Sequence, residues 1–201
     1  MNVLAFGIGT LTNPSKLEST FKSVLHSKIS SNTISSYIGY LEDAFVIEEA
    51  QRYDVKGGYI GSLKYYFEDV GLRNARLGFR QVEESRIMEN VVYNELRARG
   101  YSVDVGVFEK RVREEGRDVR KQLEVDFVAN RGSDRVYIQS ALEMGTPEKA
   151  AQEKASLLGI NDSFKKVVLV RDVVKPLRDE RGVVTMSVFD FLLDENSLAG
   201  I

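Results

Sequence analysis

The chain has 201 residues, 43% of them hydrophobic, with 28 Lys and Arg against 30 Asp and Glu. This length suits one large domain or two small ones, and the formal net charge of -2 excludes a protein that binds polyanions over its whole surface. The absence of cysteine excludes disulfides, thiolate catalysis and zinc–cysteine sites, so any metal held by carboxylates and amides should be Mg²⁺ or Mn²⁺.

The N-terminal segment, residues 1–8, is apolar but too short for a signal peptide, and it has no basic flank. No apolar run in the sequence reaches the roughly 18 residues that a membrane-spanning helix requires. We therefore expect a cytoplasmic protein without a membrane partner. Because the helix-like start has no cap of its own, we also expect the chain to come from a longer parent protein.

Two helices followed by a hairpin are predicted in the first third of the chain. Asn13-Pro14 and Ser31-Asn32-Thr33 are typical helix starts, and each precedes an apolar face at helical spacing. Residues 45–53 and 59–67 are typical of strands, and Gly57-Gly58 between them predicts a tight turn. Helix, helix and hairpin in this order indicate a winged helix-turn-helix.

A winged helix-turn-helix binds DNA by placing its second helix in the major groove. The outward face of the predicted second helix carries Ser35 and Ser36 but no Lys or Arg. Phosphate contacts would then depend on Arg52, Lys56 and Lys64 in the hairpin region. The alternative is a scaffold or protein-contact module of the same shape. Residues 69–79 are polar and contain glycine, which predicts a connection and a domain boundary near residue 80, between domains 1–80 and 81–201.

The second domain begins with a strong helical pattern over residues 84–99. Its apolar stripe is formed by residues at helical spacing: Met88, Val91, Val92 and Leu96. Glu95 falls inside this stripe and Glu89 falls at its edge, which is costly for a carboxylate unless it is paired, hydrogen-bonded or bound to a metal. For Glu95 the structural alternative is a buried carboxylate satisfied by backbone, Tyr or Arg donors.

Strands and one helix follow the first helix of this domain. Residues 101–108 alternate as a strand, and the charge-dense residues 109–121 favour a solvated hairpin extension over a nucleic-acid patch, because acids dilute the positive charge. Strict alternation in the next strand places Val125 with Phe127 on one face and Asp126 with Val128 on the other. Further elements are predicted at residues 136–141, 146–158, 165–171 and 182–191.

Helix, three strands, helix and strand are the element order of a metal-dependent nuclease core. In that plan Glu89 or Glu95, Asp126 and Gln139 are the candidate catalytic and metal-ligating residues, holding an ion that stabilises phosphate charge and acidifies the attacking water. A lysine is expected two residues after the third-strand ligand, where this chain has Ala141. Losing one such electrostatic stabiliser costs on the order of 10²–10³ in rate. The structural alternative for Asp126 is a sheet-end residue hydrogen-bonded to Gln139.

Several segments in this order resemble the C-terminal half of prokaryotic AAA-type ATPases: residues 64–75, 88–96, 124–128 and 137–139. The resemblance implies an α/β (α+β) fold, with a winged helix followed by an αβββαβ domain of unknown function that is PD-(D/E)xK-like, a restriction-endonuclease-like fold. Some members of that group keep Glu-x-Lys where this chain has Gln139-x-Ala141. The sequence has no Gly-x-x-x-x-Gly-Lys-Ser/Thr motif, so we expect no nucleotide hydrolysis.

Three functions follow from these patterns. The first is a non-catalytic C-terminal module of an AAA-type ATPase, with a degenerate nuclease pocket, that binds nucleic acid or protein. The second is a weak Mg²⁺- or Mn²⁺-dependent nuclease in which Lys149 or Lys154 supplies the missing ammonium group. The third is an assembly domain that contacts the ATPase body. The expected partner is an ATPase domain in cis or another protein, with DNA as a further candidate.

Overall fold

A computed structural model describes residues 1–54, 58–80, 83–114, 117–172 and 175–200. The helices and strands within these ranges confirm a mixed α/β chain. The helices are α1 Asn2–Phe6, α2 Pro14–Val24, α3 Ser31–Asp43, α4 Val70–Arg76, α5 Glu84–Ala98, α6 Pro147–Gly159 and α7 Val188–Leu193. The strands are β1 Ile47–Asp54, β2 Gly58–Phe67, β3 Ser102–Glu114, β4 Arg117–Arg131, β5 Asp134–Ala141, β6 Lys165–Val170, β7 Leu177–Arg178 and β8 Val183–Ser187.

Local chemistry accounts for several of the observed helix ends. The Asn13 side chain accepts a hydrogen bond from the Lys16 N–H at 2.8 Å, and Pro14 opens α2. Thr146 caps α6 in the same way, again directly before a proline. Gly100 follows α5 with a φ of 80°, a conformation that glycine adopts without steric cost. The predicted starts of α2 and α6 and the predicted end of α5 are therefore confirmed.

The chain divides into two compact units. The first comprises Met1–Arg52 and Ile60–Asn90, and the second comprises Tyr53–Tyr59 and Val91–Ile201. The division falls inside α5, later in the chain than the predicted boundary near residue 80. A continuous helix of 15 residues contributes residues to both units, and the domain boundary near residue 80 stays a prediction.

Each unit has its own apolar core. The buried core of the first unit includes residues from its helices and from β1 and β2: Leu4, Ala5, Ile8, Leu17, Ile34, Ile38, Ile47, Tyr65, Phe67 and Leu77. The second unit packs α6 on its strands through a cluster of Phe108, Val125, Val128, Tyr137, Ala141, Leu157, Ile160, Val168, Val170 and Val183. None of the helices in the described ranges is long and apolar enough to cross a membrane.

The strands of the second unit form a mixed arrangement in the order β3-β4-β5-β6-β8-β7. The β3–β4 and β4–β5 pairs are antiparallel, β5–β6 and β6–β8 are parallel, and β7–β8 is antiparallel. The β3–β4 ladder continues as far as the pair of Glu114 with Arg117. The predicted hairpin extension at residues 109–121 is therefore present in the backbone, while Glu115 and Gly116 lie outside the described residues.

The predicted strict alternation of β4 is wrong at one point, because the strand contains a β-bulge. The β3–β4 register shifts between Asp104 and Gly106, so that β4 contains one extra residue at Asp126 and Phe127. As a result Val125 and Val128 enter the same core cluster, although strict alternation places them on opposite faces. A bulge depends on the partner strand, and the sequence pattern of β4 alone does not reveal it.

The predicted polar connection at residues 69–79 contains a helix that the sequence pattern did not indicate, because residues 70–76 form α4. The Asp69 carboxylate accepts hydrogen bonds from the N–H groups of Gly71 at 2.6 Å and Leu72 at 3.3 Å, which caps this helix. Arg73 is fully buried, and its Nε donates to the carbonyl of Ala5 at 3.0 Å. Seven residues are too few to show an apolar period, so the helix was hidden in the sequence.

The region around α3 and β1 differs in detail from the prediction. Ser30 caps α3, one residue before the predicted cap. Phe45, the first residue of the predicted strand, adopts a φ of 53° and is 80% exposed. The strand predicted from residue 45 begins at Ile47. Of the predicted Gly57-Gly58 turn, Gly57 lies outside the described residues and Gly58 opens β2 with a φ of 100°.

Candidate functional site

Asp126 lies at the bulge of β4, where the pairing of β4 with β5 ends at Phe127 and Ile138. The backbone N–H of Ser140 donates to Asp126 Oδ2 at 2.8 Å. A side-chain oxygen thus takes the place of a ladder carbonyl where the two strands stop pairing. The structural alternative from the sequence was a bond to Gln139, and the donor is instead the backbone of the next residue, Ser140.

Gln139 and Ala141 share the face of β5 that packs against α6, as strand alternation predicts. The side chain of Ser156 on α6 donates to Gln139 Oε1 over a long 3.3 Å. Ala141 is buried at 5% exposure in the cluster that contains Leu157. A buried methyl group therefore occupies position 141, where the sequence comparison with nucleases led us to expect an ammonium group.

The two lysines considered as substitutes on α6 are paired with acids. Lys149 Nζ donates to Glu153 at 2.7 Å, a bond that raises the pKa of Lys149. Lys154 Nζ lies 2.8 Å from Asp179 Oδ2. Burial alone would raise the pKa of Asp179, but the hydrogen bonds from Lys154 and from the backbone of Val183 hold it below its usual value. Both ammonium groups thus have a carboxylate partner other than Asp126.

Glu95 orients an arginine. Its Oε1 accepts a hydrogen bond at 2.7 Å from Nε of Arg99, which lies one turn later in the chain, directly after the end of α5. The Arg99 guanidinium lies 4.3 Å from the centre of the Phe191 ring and donates to Ser197 Oγ at 3.0 Å. The structural alternative for Glu95 was a buried carboxylate with such a donor; the arginine donor is present, and 28% of the Glu95 side chain is exposed. The contacts of Arg99 connect the end of α5 to the C-terminal segment of the second unit.

Glu89 accepts two hydrogen bonds within the first unit. Its Oε1 lies 3.0 Å from Lys64 Nζ and 2.6 Å from the hydroxyl of Tyr66, both on β2. Lys64 is 4% exposed and Tyr66 is fully buried. Gly9, with a φ of 66°, lies so close that a Cβ there would be 3.2 Å from Glu89 Oε1. Glu89, Lys64 and Tyr66 therefore form one buried polar cluster, which we call the Glu89 cluster.

Asn90 is a residue that the sequence analysis missed. Its Oδ1 accepts from the Phe67 N–H and its Nδ2 donates to the Phe67 carbonyl, both at 2.8 Å. The side chain is fully buried and pairs with the end of β2 as another strand would. At 100° per residue Asn90 falls on the side of α5 opposite the predicted apolar stripe, so its position in the sequence did not indicate burial.

The predicted oxygen ligands are shared between the two units. Glu89 lies in the first unit, and Glu95, Asp126 and Gln139 lie in the second. Each accepts a hydrogen bond from a protein donor. In the part of the chain that the structure describes, no group of three or more His, Cys, Asp or Glu side chains is placed to hold a metal ion. Coordination of Mg²⁺ or Mn²⁺ by Glu89, Asp126 and Gln139 stays a prediction.

The residues predicted to contact nucleic acid have different environments. Ser35 and Ser36 are exposed on α3, as expected. Arg52 is half-buried, and Lys64 belongs to the Glu89 cluster. Lys56 lies outside the described residues. Because Lys64 is buried beside a carboxylate, its charge acts within the first unit and contributes little to a phosphate-binding surface.

The exposed face of α3 is aromatic and lacks cations. Tyr37 and Tyr40 are 56% and 65% exposed, with ring centres 6.4 Å apart. The helix contains no Lys or Arg. Aromatic residues are enriched at protein interfaces, whereas DNA contacts draw most of their affinity from cations. This face therefore offers aromatic surface without the cations that phosphate contacts require.

Comparisons with known proteins identify relatives of unknown function. The family model of a domain of unknown function (DUF8612) matches residues 1–83. Among solved structures, protein VC1899 from Vibrio cholerae is similar with a TM-score of 0.36 and 14% identity, over 99% of this chain and 52% of that one. An uncharacterized protein of Haemophilus influenzae is 35% identical over 94% of the chain, and one of Methanocaldococcus jannaschii is 32% identical over 68% of it. The matched regions span 44% of the first relative and 29% of the second, so the chain corresponds to less than half of either protein.

Proposed function

We propose that the chain is a non-catalytic binding module whose second unit has the plan of a restriction-endonuclease-like domain with a degenerate pocket. The buried Ala141 carries this proposal, because it stands where the reaction needs an ammonium group. Asp126 and Gln139 beside it already accept hydrogen bonds from Ser140 and Ser156. Without the ammonium, the stabilisation of a phosphate transition state is reduced on the order of 10²–10³-fold.

The order of elements supports the fold part of this proposal. In the first unit the elements follow one another as α1, α2, α3, β1 and β2, an order that fits a winged helix. Thr12, between α1 and α2, also forms an isolated antiparallel bridge with Leu63 of β2. In the second unit α5, β3, β4, β5, α6 and β6 follow the αβββαβ order of a PD-(D/E)xK-like domain. Such a pair of domains resembles the C-terminal part of AAA-type ATPases, and we propose that role here.

A protein partner is the better supported of the two binding classes for the first unit. The exposed Tyr37 and Tyr40 provide an aromatic surface on the helix that would otherwise enter a DNA groove. We therefore propose that α3 contacts protein, with the body of an ATPase as the expected partner. This assembly role is compatible with a degenerate pocket in the second unit, because it requires no chemistry there.

A nuclease assay tests the proposal. The chain is incubated with labelled single- and double-stranded DNA and RNA in the presence of Mg²⁺ or Mn²⁺. We expect no metal-dependent cleavage by the natural sequence, and the same result for Asp126→Asn. Cleavage that is lost in Asp126→Asn but kept in Asp190→Asn, an exposed aspartate on α7, would show a working nuclease and contradict the proposal.

A further inference from the structure

A cavity of about 200 Å³ lies in the second unit beside the turn between β4 and β5. This turn joins Arg131 to Asp134, which form the last residue pair at one end of the β4–β5 ladder. Asp126 lies just beyond the opposite end of that ladder. The side chains that give the cavity its character are three cations, one carboxylate and two rings: Arg131, Arg135, Lys165, Asp134, Tyr101 and Phe164. Positive charge therefore exceeds negative charge around it.

Arg131 and Lys165 are held by neutral acceptors. Arg131 donates to the carbonyl of Arg99 at 3.3 Å, and its guanidinium lies 4.6 Å from the centre of the Tyr101 ring. Lys165 Nζ donates to the carbonyls of Leu198 at 2.8 Å and Ala199 at 3.3 Å. These contacts orient the cationic groups without neutralising their charge.

Arg135 is positioned by an amide and by aromatic rings. Its Nε donates to Asn130 Oδ1 at 2.7 Å, and its guanidinium lies 5.5 Å from the Phe164 ring centre and 5.6 Å from that of Tyr53. The charge of Arg135 also acts on buried Asp104. Burial raises the pKa of Asp104, and the positive charge of Arg135 opposes this rise. Among the described residues, none of the three cations of the cavity forms an ion pair with a carboxylate.

We propose that this cavity binds the phosphate monoester of a nucleotide, either free or at the end of a nucleic-acid strand. Guanidinium and ammonium groups are the side chains that bind phosphate, and stacking on a ring fixes the direction of an arginine's donors. Phe164 is 41% exposed and offers a face for a base. The volume is below the roughly 300–1,000 Å³ of sites for larger ligands, which suits one phosphate with an adjoining ring. The site is independent of the Asp126 region and of the proposed function.

Binding measurements with the full chain test this site. Calorimetry compares AMP with adenosine and inorganic phosphate, and fluorescence anisotropy compares a 5′-phosphorylated oligonucleotide with its 5′-hydroxyl form. We expect the phosphorylated member of at least one pair to bind about tenfold more tightly than the unphosphorylated one. Tight binding of AMP identifies a free nucleotide as the ligand, and binding of the phosphorylated strand alone identifies a strand end.

Four variants separate a built site from general electrostatic attraction. Arg131→Gln should weaken binding about tenfold, and Phe164→Leu should weaken AMP at least about fivefold while leaving inorganic phosphate unchanged. Asp134→Asn removes the one carboxylate and should tighten binding about twofold to fivefold. Arg178→Gln changes the same charge on exposed β7 and should have an effect below about twofold.

The outcomes that overturn the proposal are equally definite. It fails if adenosine binds as well as AMP and the two oligonucleotides are also equivalent, or if no phosphorylated probe binds at millimolar concentration. Equal effects of Arg131→Gln and Arg178→Gln would overturn it as well, because they would indicate attraction without a site. Asp134→Asn keeps the test decisive even if Arg131→Gln fails to fold, since Asp134 is exposed and its gain in affinity requires the site.

Discussion

Glu89 shows how a carboxylate on a largely apolar helix face is accommodated. Lys64 supplies a counter-charge and Tyr66 supplies a hydroxyl donor, while Gly9 leaves room for the carboxylate. The same helix carries Glu95, whose partner Arg99 lies one turn away. Both side chains satisfy the rule that a shielded carboxylate needs donors, and they do so with protein groups.

Removal of the Glu89 charge should destabilise the chain. In Glu89→Gln the buried Lys64 loses the negative charge that lies 3.0 Å from its Nζ, and we expect the free energy of unfolding to fall by about 3 kcal/mol, the lower end for breaking a buried ion pair. The lower end applies because 14% of the Glu89 side chain is exposed. Urea unfolding measures the change, with exposed Glu180→Gln as the matched control. Adding Lys64→Met should recover part of the loss, and no loss in Glu89→Gln would contradict the role of the cluster.

Asp104 predicts a pH dependence of stability. It is 9% exposed, and burial raises its pKa despite the opposing charges of Arg135 and Arg97. A carboxyl with a raised pKa in the folded state stabilises the fold below its unfolded pKa of 3.8, and this stabilisation is lost as the pH rises through the folded value. Asp104→Asn should therefore become more stable relative to the natural chain between pH 4 and pH 7. Urea unfolding at several pH values measures this difference, and parallel profiles would refute the prediction.

In the second unit, α6 approaches its strands closely at Gly159, which packs against Phe108 of β3. A Cβ on Gly159 would overlap the ring of Phe108, with Cζ at only 2.7 Å. Phe108 is itself buried at 3% exposure in the core cluster of that unit. The close approach at Gly159 is one of the contacts that hold α6 over β5, where Gln139 meets Ser156.

A methyl group at this contact should be costly. We expect Gly159→Ala to lower the free energy of unfolding by about 1–3 kcal/mol, even though alanine favours helix, because the rigid Phe108 ring must move. Gly145→Ala is the control, since a Cβ there has no atom within 4 Å and the residue has no positive φ. Urea unfolding of both variants gives the comparison. Equal stabilities would mean that α6 shifts freely on its strands.

The charge distribution of the whole molecule argues against strong attraction to duplex DNA. The formal net charge is -2, α3 lacks cations, and the ammonium of Lys64 lies beside Glu89. Each phosphate contact made by a cation contributes about -0.9 to the slope of log affinity against log salt concentration.

We expect weak binding to duplex DNA with a shallow salt dependence. Fluorescence anisotropy between low and physiological salt should give a slope of about -2 or shallower, corresponding to about two phosphate contacts or fewer. A 5′-hydroxyl duplex avoids any contribution from the cavity beside the β4–β5 turn. A slope of about -6 would instead show a DNA-binding surface. It would favour DNA over protein as the partner of the first unit.

The sequence alone predicted features that depend on neighbouring residues. Asn13-Pro14 and Thr146-Pro147 marked helix starts, Gly100 marked a helix end, and alternation placed Gln139 and Ala141 on one face. The same local reasoning recognised that Glu89 and Glu95 need partners, because a carboxylate in an apolar stripe is costly wherever the stripe is buried.

Only the tertiary structure decided which partners those residues have. Lys64 lies 25 residues before Glu89 in the chain, and the Ser140 N–H reaches Asp126 because a bulge in β4 ends the pairing with β5 there. Such contacts depend on strand register and on the approach of distant segments, and periodicity within one segment contains neither. For the same reason the cavity beside the β4–β5 turn has no sequence motif, since Tyr101, Arg131 and Phe164 come from separate segments that meet only in the folded chain.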